Sequence, residues 1–220
     1  MSHLGFIHRY VLPRRIESIK NDKDDSDKPS SLTLLLLHGT GGNEDDLIQV
    51  GQMVSPSASL LSLRGKVLEN GMPRFFKRLA EGVFDMEDLK FRTKELADFV
   101  KDASGVYGFD INKTIAVGFS NGANMAASLL LSYPETISGA ILFRAMVPFI
   151  PSNLPDLSNK KVLLSAGMFD PIVSESQTQS LFDTLDKSRA NVSLKWQQSG
   201  HNLSESDVLY AKEWLSKHLK

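Results

Sequence analysis

The stretch Lys113-Thr-Ile-Ala-Val-Gly-Phe-Ser-Asn-Gly-Ala-Asn-Met-Ala-Ala-Ser128 decides how the rest of the chain is interpreted. Its apolar start predicts a buried strand, and its alanine-rich end predicts a helix with small residues on one face. Between them lies Gly118-Phe-Ser-Asn-Gly122, a Gly-x-Ser-x-Gly pattern. A strand that turns directly into a helix holds its serine in strained backbone, and the neighbouring chain leaves no room for a Cβ two residues away on either side. Ser120 is therefore a candidate nucleophile at the edge of a sheet.

The composition excludes several classes of protein. The chain has 220 residues, 41% hydrophobic and 23% charged, which predicts one α/β domain over residues 1–220. Its formal net charge of -1 gives no reason to expect nucleic acid or an anionic membrane as a partner. The absence of cysteine excludes disulfides, thiolate metal ligands and a cysteine nucleophile. Because we find neither a signal peptide nor an apolar run long enough to span a membrane, we expect a cytoplasmic protein.

Apolar runs alternate with helical patterns along the chain. Residues 32–37 form a continuous apolar run bounded by turn signals, which is typical of a buried parallel strand. The alternation predicts a mostly parallel sheet with helices on both faces. The remaining predicted strands span 58–63, 138–143, 161–167 and 192–197, and the predicted helices span 89–107, 174–188 and 204–219.

The amino-terminal region carries weaker patterns. Residues 6–12 alternate as an edge strand does, and residues 15–20 could form its hairpin partner. The polar run at 21–30 is interpreted as a solvated loop, because its spacing lacks the glycine and the final glutamate of a calcium-binding loop. We find no His, Asp or Glu spacing typical of a metal site, and we predict no metal.

A glycine-rich loop, His38-Gly-Thr-Gly-Gly42, joins the first buried strand to a predicted helix beginning at Asn43. A phosphate-binding loop would need a Walker lysine or the Gly-x-Gly-x-x-Gly spacing, and both are missing. A loop that binds an oxyanion needs only backbone N–H groups free to point inward. We therefore expect the N–H groups of Thr40 and Asn121 to form an oxyanion hole, and we give His38 a structural role.

The long segment 64–88 has no clear secondary-structure pattern, and its aromatic residues and glycines argue against disorder. We interpret it as a small lid or pocket wall. Its charged residues Arg64, Glu69 and Arg74, together with Arg144, suggest a buried ion-pair network that shapes this lid, including a pair between Glu69 and Arg74. Direct binding of substrate by these charges is the alternative. The residues expected to line an apolar substrate pocket are Phe75, Phe76, Phe84, Met146, Val147 and Phe149.

Two further residues complete a possible catalytic set with Ser120. Asp170 follows the strand predicted at 161–167, and His201 follows the strand predicted at 192–197. Because active residues of parallel sheets lie beyond the carboxyl ends of the strands, we expect all three at the same edge. His201 would remove the Ser120 proton, and Asp170 would orient and stabilise the imidazole. Taken singly, Asp170 could be a turn former before Pro171, and His201 a surface loop residue.

In the motifs described above, the chain resembles the carboxylesterase/phospholipase group of α/β-hydrolases, which are compact esterases related to acyl-protein thioesterases. Within that group it is similar to the bacterial branch that includes hydroquinone-associated carboxylesterases. The resemblance covers about residue 30 to the end and implies an α/β-hydrolase fold without a cofactor. It also implies a triad of Ser120, Asp170 and His201, with Thr40 and Asn121 at the oxyanion. The motifs that carry it are 37–43, 64–76, 118–122, 167–173 and 200–203.

The resemblance implies a serine carboxylesterase acting on small esters with short acyl or aryl groups. A thioesterase or lysophospholipase acting on longer chains is the alternative within enzymes. The stretch from Thr40 to Asn43 replaces the Leu-Gly-Asp that is usual in the thioesterase branch, which argues against long-chain depalmitoylation. A hydrolase fold kept as a non-catalytic ligand-binding module is the alternative of another class, and a homodimer is compatible with the composition.

Overall fold

A seven-stranded sheet forms the centre of the protein in the computed structural model, which describes residues 4–13 and 32–218. In chain order the strands are β1 (His8–Val11), β2 (Thr33–Leu37), β3 (Ser59–Leu63), β4 (Val67–Glu69), β5 (Met72–Arg74), β6 (Arg78–Ala80), β7 (Val83–Phe84), β8 (Thr114–Phe119), β9 (Gly139–Phe143), β10 (Lys161–Gly167) and β11 (Asn191–Gln197). Those of the seven-stranded sheet follow the order β1-β3-β2-β8-β9-β10-β11; β1 is antiparallel to β3, and the other pairs in this sheet are parallel. The prediction of a mostly parallel sheet is confirmed.

Helices cover both faces of this sheet, as predicted. They are α1 (Ile48–Val54), α2 (Met86–Tyr107), α3 (Asn121–Ser132), α4 (Glu175–Lys187) and α5 (Glu205–His218). Successive leucines of β2 point to opposite faces because side chains alternate along a strand. Leu34 and Leu36 belong to the core beneath α1 and α5, and Leu35 and Leu37 belong to the core beneath α2, α3 and α4. A continuous apolar run is therefore what a strand buried on both faces requires.

The parallel strands all end at one edge of the sheet, and the loops that carry the candidate site residues begin at this edge. β2 lies beside β8 with Leu37 opposite Gly118, so the glycine-rich loop that follows β2 starts next to the serine turn that follows β8. The loops after β9, β10 and β11 begin at the same edge because these strands are parallel neighbours. The topology thus places residues that are far apart in sequence side by side.

The segment 64–88, in which the sequence shows no clear secondary-structure pattern, contains two β-hairpins. β4 pairs with β5 and β6 pairs with β7, both antiparallel. Asn70 and Gly71 join the first pair with φ of 51° and 81°. Two successive positive φ values are those of a tight hairpin turn that asparagine followed by glycine favours. The Asn-Gly dipeptide was the signal in the sequence that could have identified this hairpin.

Two helix starts differ from their predictions. Asn43 does not cap α1, which begins at Ile48; its side chain instead accepts a hydrogen bond from the Asp45 N–H at 2.7 Å and closes a local turn. α2 begins three residues earlier than predicted because Asp85 accepts from the Asp88 N–H and caps it. No helix in the described part of the chain is both long and apolar enough to cross a membrane. The predicted hairpin partner at 15–20 and the polar loop at 21–30 lie outside the described residues.

Candidate active site

Ser120 occupies the turn between β8 and α3 with φ 50° and ψ -113°, a region that non-glycine residues seldom adopt. A Cβ added to Gly118 would lie 2.6 Å from the Ala123 backbone, and one added to Gly122 would lie 2.0 Å from the Leu37 carbonyl oxygen. Both glycines are thus required by close approach of the backbone. The Ser120 N–H donates to the Phe143 carbonyl at 2.9 Å, which fixes the turn against the neighbouring strand.

His201 lies between the other two predicted catalytic residues. Its Nε2 is 2.9 Å from the Ser120 Oγ, and its Nδ1 is 2.8 Å and 3.0 Å from the two carboxylate oxygens of Asp170. With the Nδ1 proton donated to Asp170, Nε2 carries the lone pair that accepts the serine hydroxyl. Asp170 is itself held in place, since its Oδ1 also accepts the N–H groups of Ile172 and Val173.

The loop that carries His201 is anchored by a buried ion pair. Arg144 and Asp207 both have side-chain exposures of 0%, and the Arg144 Nη2 lies 2.7 Å from the Asp207 Oδ2. Arg144 also donates to the Gly200 and Asn202 carbonyls, each at 2.9 Å, and to the Ser199 hydroxyl at 2.8 Å. These bonds flank His201 on both sides. The sequence predicts that Arg144 shapes the lid, but in the structure its side chain binds the loop that carries His201 instead.

The expected oxyanion donors lie next to the nucleophile. Within residues 4–13 and 32–218, the N–H groups of Thr40 and Asn121 donate to no other protein group, so both are available to a ligand. The Thr40 hydroxyl accepts from the Arg74 Nη1 at 2.7 Å, and the neighbouring Gly41 N–H donates to the Pro73 carbonyl at 2.9 Å. The glycine-rich loop is thereby joined to the first hairpin.

His38 has the structural surroundings expected for it. Its Nε2 accepts the Gly65 N–H at 3.0 Å, so the ring proton lies on Nδ1, which is 2.6 Å from the Gly39 carbonyl. Burial is the largest influence on this ring and lowers the pKa of His38 below its usual value. A neutral His38 therefore links the glycine-rich loop to the segment that follows β3.

A depression of about 360 Å³ opens above Ser120 and His201. Of the residues expected there, Met146 and Phe84 line it, whereas Phe75 and Phe76 do not, because they are 2% and 0% exposed within the core. Their rings pack on His38 and Phe84, with ring centroids 4.8 Å and 5.0 Å apart respectively. Beside Met146, the side chains lining the depression are Thr40, Arg74, Arg78, Glu81, Phe84, Phe119, Asn121, Asn124 and Ile172.

Val147 and Phe149 also pack against the core and are absent from the lining. Sequence reasoning missed three lining residues that lie within or beside recognised motifs. Phe119 immediately precedes the nucleophile, Ile172 lies two residues after Asp170, and Asn124 is four residues into α3. Arg78 gave no signal beyond its position in the segment assigned to the pocket wall. Among the described residues, no three His, Asp or Glu side chains form a cluster that could hold a metal.

Comparison with known proteins agrees with this architecture. Residues 24–219 match the phospholipase/carboxylesterase family. The chain is 50% identical over 185 residues to a Bacillus subtilis protein named as the hydrolase MhqD, covering 84% of this chain and 92% of that protein. The crystal structure of a Bacillus cereus carboxylesterase has a TM-score of 0.89 and 46% identity, over 98% of this chain and 95% of that one. A Mesorhizobium loti carboxylesterase has a TM-score of 0.80 and 28% identity, over 85% and 89% of the two chains. The chain therefore belongs to the phospholipase/carboxylesterase family, whose members are carboxylic ester hydrolases with the α/β-hydrolase fold.

Proposed function

We propose that this protein is a serine carboxylesterase that hydrolyses small esters through an acyl-enzyme. The observation that carries the proposal is the position of His201, with one ring nitrogen 2.9 Å from the Ser120 hydroxyl and the other 2.8 Å from the Asp170 carboxylate. A serine hydroxyl is a weak nucleophile at neutral pH, and this arrangement supplies the base that activates it.

In the proposed reaction, Ser120 Oγ attacks the ester carbonyl while its proton passes to the His201 Nε2. Asp170 stabilises the imidazolium through Nδ1 without taking up the proton itself. The tetrahedral oxyanion accepts hydrogen bonds from the Thr40 and Asn121 N–H groups, each of which contributes about 3 kcal/mol to lowering the barrier. His201 then protonates the leaving alcohol. Water then attacks the acyl-enzyme carbonyl while His201 takes its proton. His201 returns this proton to the Ser120 oxygen as the acid leaves, which restores the free enzyme.

The size of the depression supports small substrates over long-chain ones. Its volume of about 360 Å³ lies at the lower end of ligand-binding sites, which run from roughly 300 to 1,000 Å³. Part of its wall is charged, and a long hydrocarbon chain gains nothing from contact with a guanidinium. A series of p-nitrophenyl esters tests this preference: we expect kcat/KM to fall beyond short acyl chains, and a continuous rise toward palmitate would favour a lysophospholipase or thioesterase.

The role of Ser120 is tested by Ser120→Ala. We expect kcat for p-nitrophenyl butyrate to fall by roughly 10⁴-fold or more, because the attacking oxygen is gone. Labelling by a fluorophosphonate probe should also disappear. Ser104→Ala is the matched control, since Ser104 lies in α2 and is not among the residues lining the depression. Turnover retained by Ser120→Ala, or a wild-type protein that the probe does not label, would contradict the proposal.

A further inference from the structure

Two arginines from the hairpin segment line the depression that contains Ser120. Arg74 ends β5 and Arg78 begins β6. Arg74 is 3% exposed, which is unusual for a side chain that keeps its charge under all ordinary conditions. Arg78 is half-buried. A buried guanidinium needs hydrogen-bond acceptors for its five N–H donors. The acceptors around Arg74 and Arg78 therefore indicate whether the protein alone supplies enough of them.

The two guanidinium groups share one carboxylate. Glu69 accepts the Arg78 Nε–H on Oε1 at 2.8 Å, and its Oε2 lies 3.1 Å from the Arg74 Nη1, which confirms the predicted Glu69–Arg74 pair. This second contact is an ion pair without hydrogen-bond geometry. Arg74 donates otherwise to the Thr40 hydroxyl and, through Nε, to the Phe76 carbonyl at 3.3 Å. Within the described residues, no protein group accepts a hydrogen bond from the Arg78 Nη groups or from the Arg74 Nη2.

Glu81, a carboxylate residue that lines the depression, does not offset the positive charge of Arg74 and Arg78. Glu81 lies at the exposed tip of the β6–β7 hairpin and forms no ion pair in the described part of the chain. Charges in solvent are strongly screened, whereas a desolvated guanidinium is not. Burial and then the charge of Arg78 lower the pKa of Arg74, so the two cations repel each other with incomplete compensation. An anion between them and the nucleophile would relieve that repulsion.

We propose that Arg74 and Arg78 form a subsite for a carboxylate carried by the ester substrate. The proposal rests on the esterase function proposed above and names its substrate class: esters that bear a free carboxylate in addition to the ester group. Guanidinium groups bind carboxylates through paired N–H donors, which orient the ligand as well as attract it. Thr40 connects the proposed subsite to the site of ester cleavage. Its hydroxyl accepts a hydrogen bond from Arg74, and its N–H is an expected oxyanion donor.

The carboxylate could belong to either half of the substrate. In a half-ester of a dicarboxylic acid it lies on the acyl side, and in an acylated hydroxybenzoate it lies on the leaving group. Two matched pairs of esters distinguish these sources. The acyl pair is monoethyl adipate against ethyl hexanoate, which has the same six-carbon acyl chain without the charge. The leaving-group pair is 4-acetoxybenzoate against its neutral amide, 4-acetoxybenzamide.

Hydrolysis of each ester is followed by acid release in a pH-stat at pH 7.5 and low ionic strength. We expect kcat/KM to be roughly tenfold higher for the charged member of at least one pair, the size of effect that one charge-assisted hydrogen bond supplies. Arg78→Gln should bring that ratio close to one, and Arg78→Lys should keep part of it. Arg189→Gln is the control and should preserve the ratio, because Arg189 is 70% exposed and pairs with Asp156 instead.

Salt provides a second measurement that does not depend on a variant. Raising the ionic strength should increase KM for the preferred charged ester and leave KM for its neutral partner nearly constant. Ratios at or below one in both pairs would overturn the subsite, and so would a ratio that Arg78→Gln does not change. Failure of the esterase proposal is distinct: no ester of either pair would then be hydrolysed, and Ser120 would not react with a fluorophosphonate.

Discussion

At the scale of single residues, the backbone of Ser120 combines strain with exposure of the hydroxyl. A serine at φ 50° and ψ -113° is disfavoured because its Cβ crowds the adjacent peptide groups, at a cost of order 1–3 kcal/mol. The surrounding chain enforces this conformation. Gly122 lets α3 pass directly over the end of β2, and the Ser120 N–H is tied to β9. The protein thus holds its nucleophile in a geometry that is unfavourable for the residue itself.

This strain predicts an unusual order of stability for two variants that both lack the hydroxyl. Ser120→Gly should be more stable than Ser120→Ala by about 1 kcal/mol, because glycine tolerates this conformation and the gain exceeds its larger loss of backbone entropy. The measurement is urea unfolding of both proteins. Ser104, in the last turn of α2, supplies the control pair. There the order should reverse, with glycine about 1 kcal/mol less stable than alanine. The same order at both positions would show that Ser120 is not strained.

At the scale of elements, the loop between β11 and α5 determines where the His201 ring lies. Arg144 follows β9 and binds residues on both sides of His201, while Asp207 in α5 neutralises it. Asp207 also accepts from the Ser165 and Ser204 hydroxyls, each at 2.6 Å. A strand end, a loop and a helix are therefore connected through one buried ion pair. Arg144 binds the backbone of Gly200 and Asn202 but contacts no residue of the triad. It is therefore a positioning residue.

Arg144→Lys tests this role. A lysine can still pair with Asp207, but it has no planar fork to bind the Gly200 and Asn202 carbonyls together. We expect kcat to fall roughly tenfold or more with little change in KM, since a misplaced base weakens the chemical step more than substrate binding. Stability should also fall. Lys160→Met is the control: Lys160 is a buried cation that donates to the Ile137 carbonyl at the amino ends of the strands.

The control variant should lose stability while its folded protein keeps the wild-type kcat. If Arg144→Lys behaved in the same way, with stability reduced and kcat unchanged, the ion pair would be structural only.

The elements differ in how far the sequence predicts them. The buried strands and the order of Ser120, Asp170 and His201 could be predicted because each depends on a local pattern, namely apolar runs, a glycine-serine turn and polar residues at strand ends. The hairpins of 64–88 carry short, half-exposed strands with little periodicity, and only Asn70-Gly71 identifies one of them. Phe75 and Phe76 were assigned to the pocket wrongly, since hydrophobicity does not distinguish a core side chain from a pocket wall.

The role of Arg144 could not be predicted for a related reason. Its partner Asp207 lies 63 positions away in sequence, and only the adjacency of β9, β10 and β11 brings the two together. Nothing in the residues flanking Arg144 distinguishes a buried charge from an exposed one. Long-range ion pairs of this kind depend on the packed tertiary structure, whereas the motifs of the nucleophile and the glycine-rich loop depend on local backbone geometry.

At the scale of the whole molecule, two buried groups near the same edge of the sheet respond to acid in separate pH ranges. Burial lowers the pKa of His38 below its usual value. For Asp207, burial favours a higher pKa, but hydrogen bonds from Arg144, Ser165 and Ser204 outweigh it, and the pKa is lowered overall. Both groups therefore resist protonation in the folded protein. In each case the unfolded chain binds more protons than the folded one within the affected range, so stability falls as pH falls.

These directions predict acid destabilisation in two stages. The first begins near pH 6.5, the ordinary pKa of histidine, as unfolded chains gain a proton that the folded protein excludes from His38. The second begins near pH 4, where Asp207 in unfolded chains becomes protonated and the contribution of its ion pair is lost. Urea unfolding between pH 7.5 and 3.5 measures both. His38→Gln should be less stable than wild type at pH 7.5, yet its free energy of unfolding should change less between pH 6.5 and 5. An equally steep decline in this variant would assign the first stage to another group.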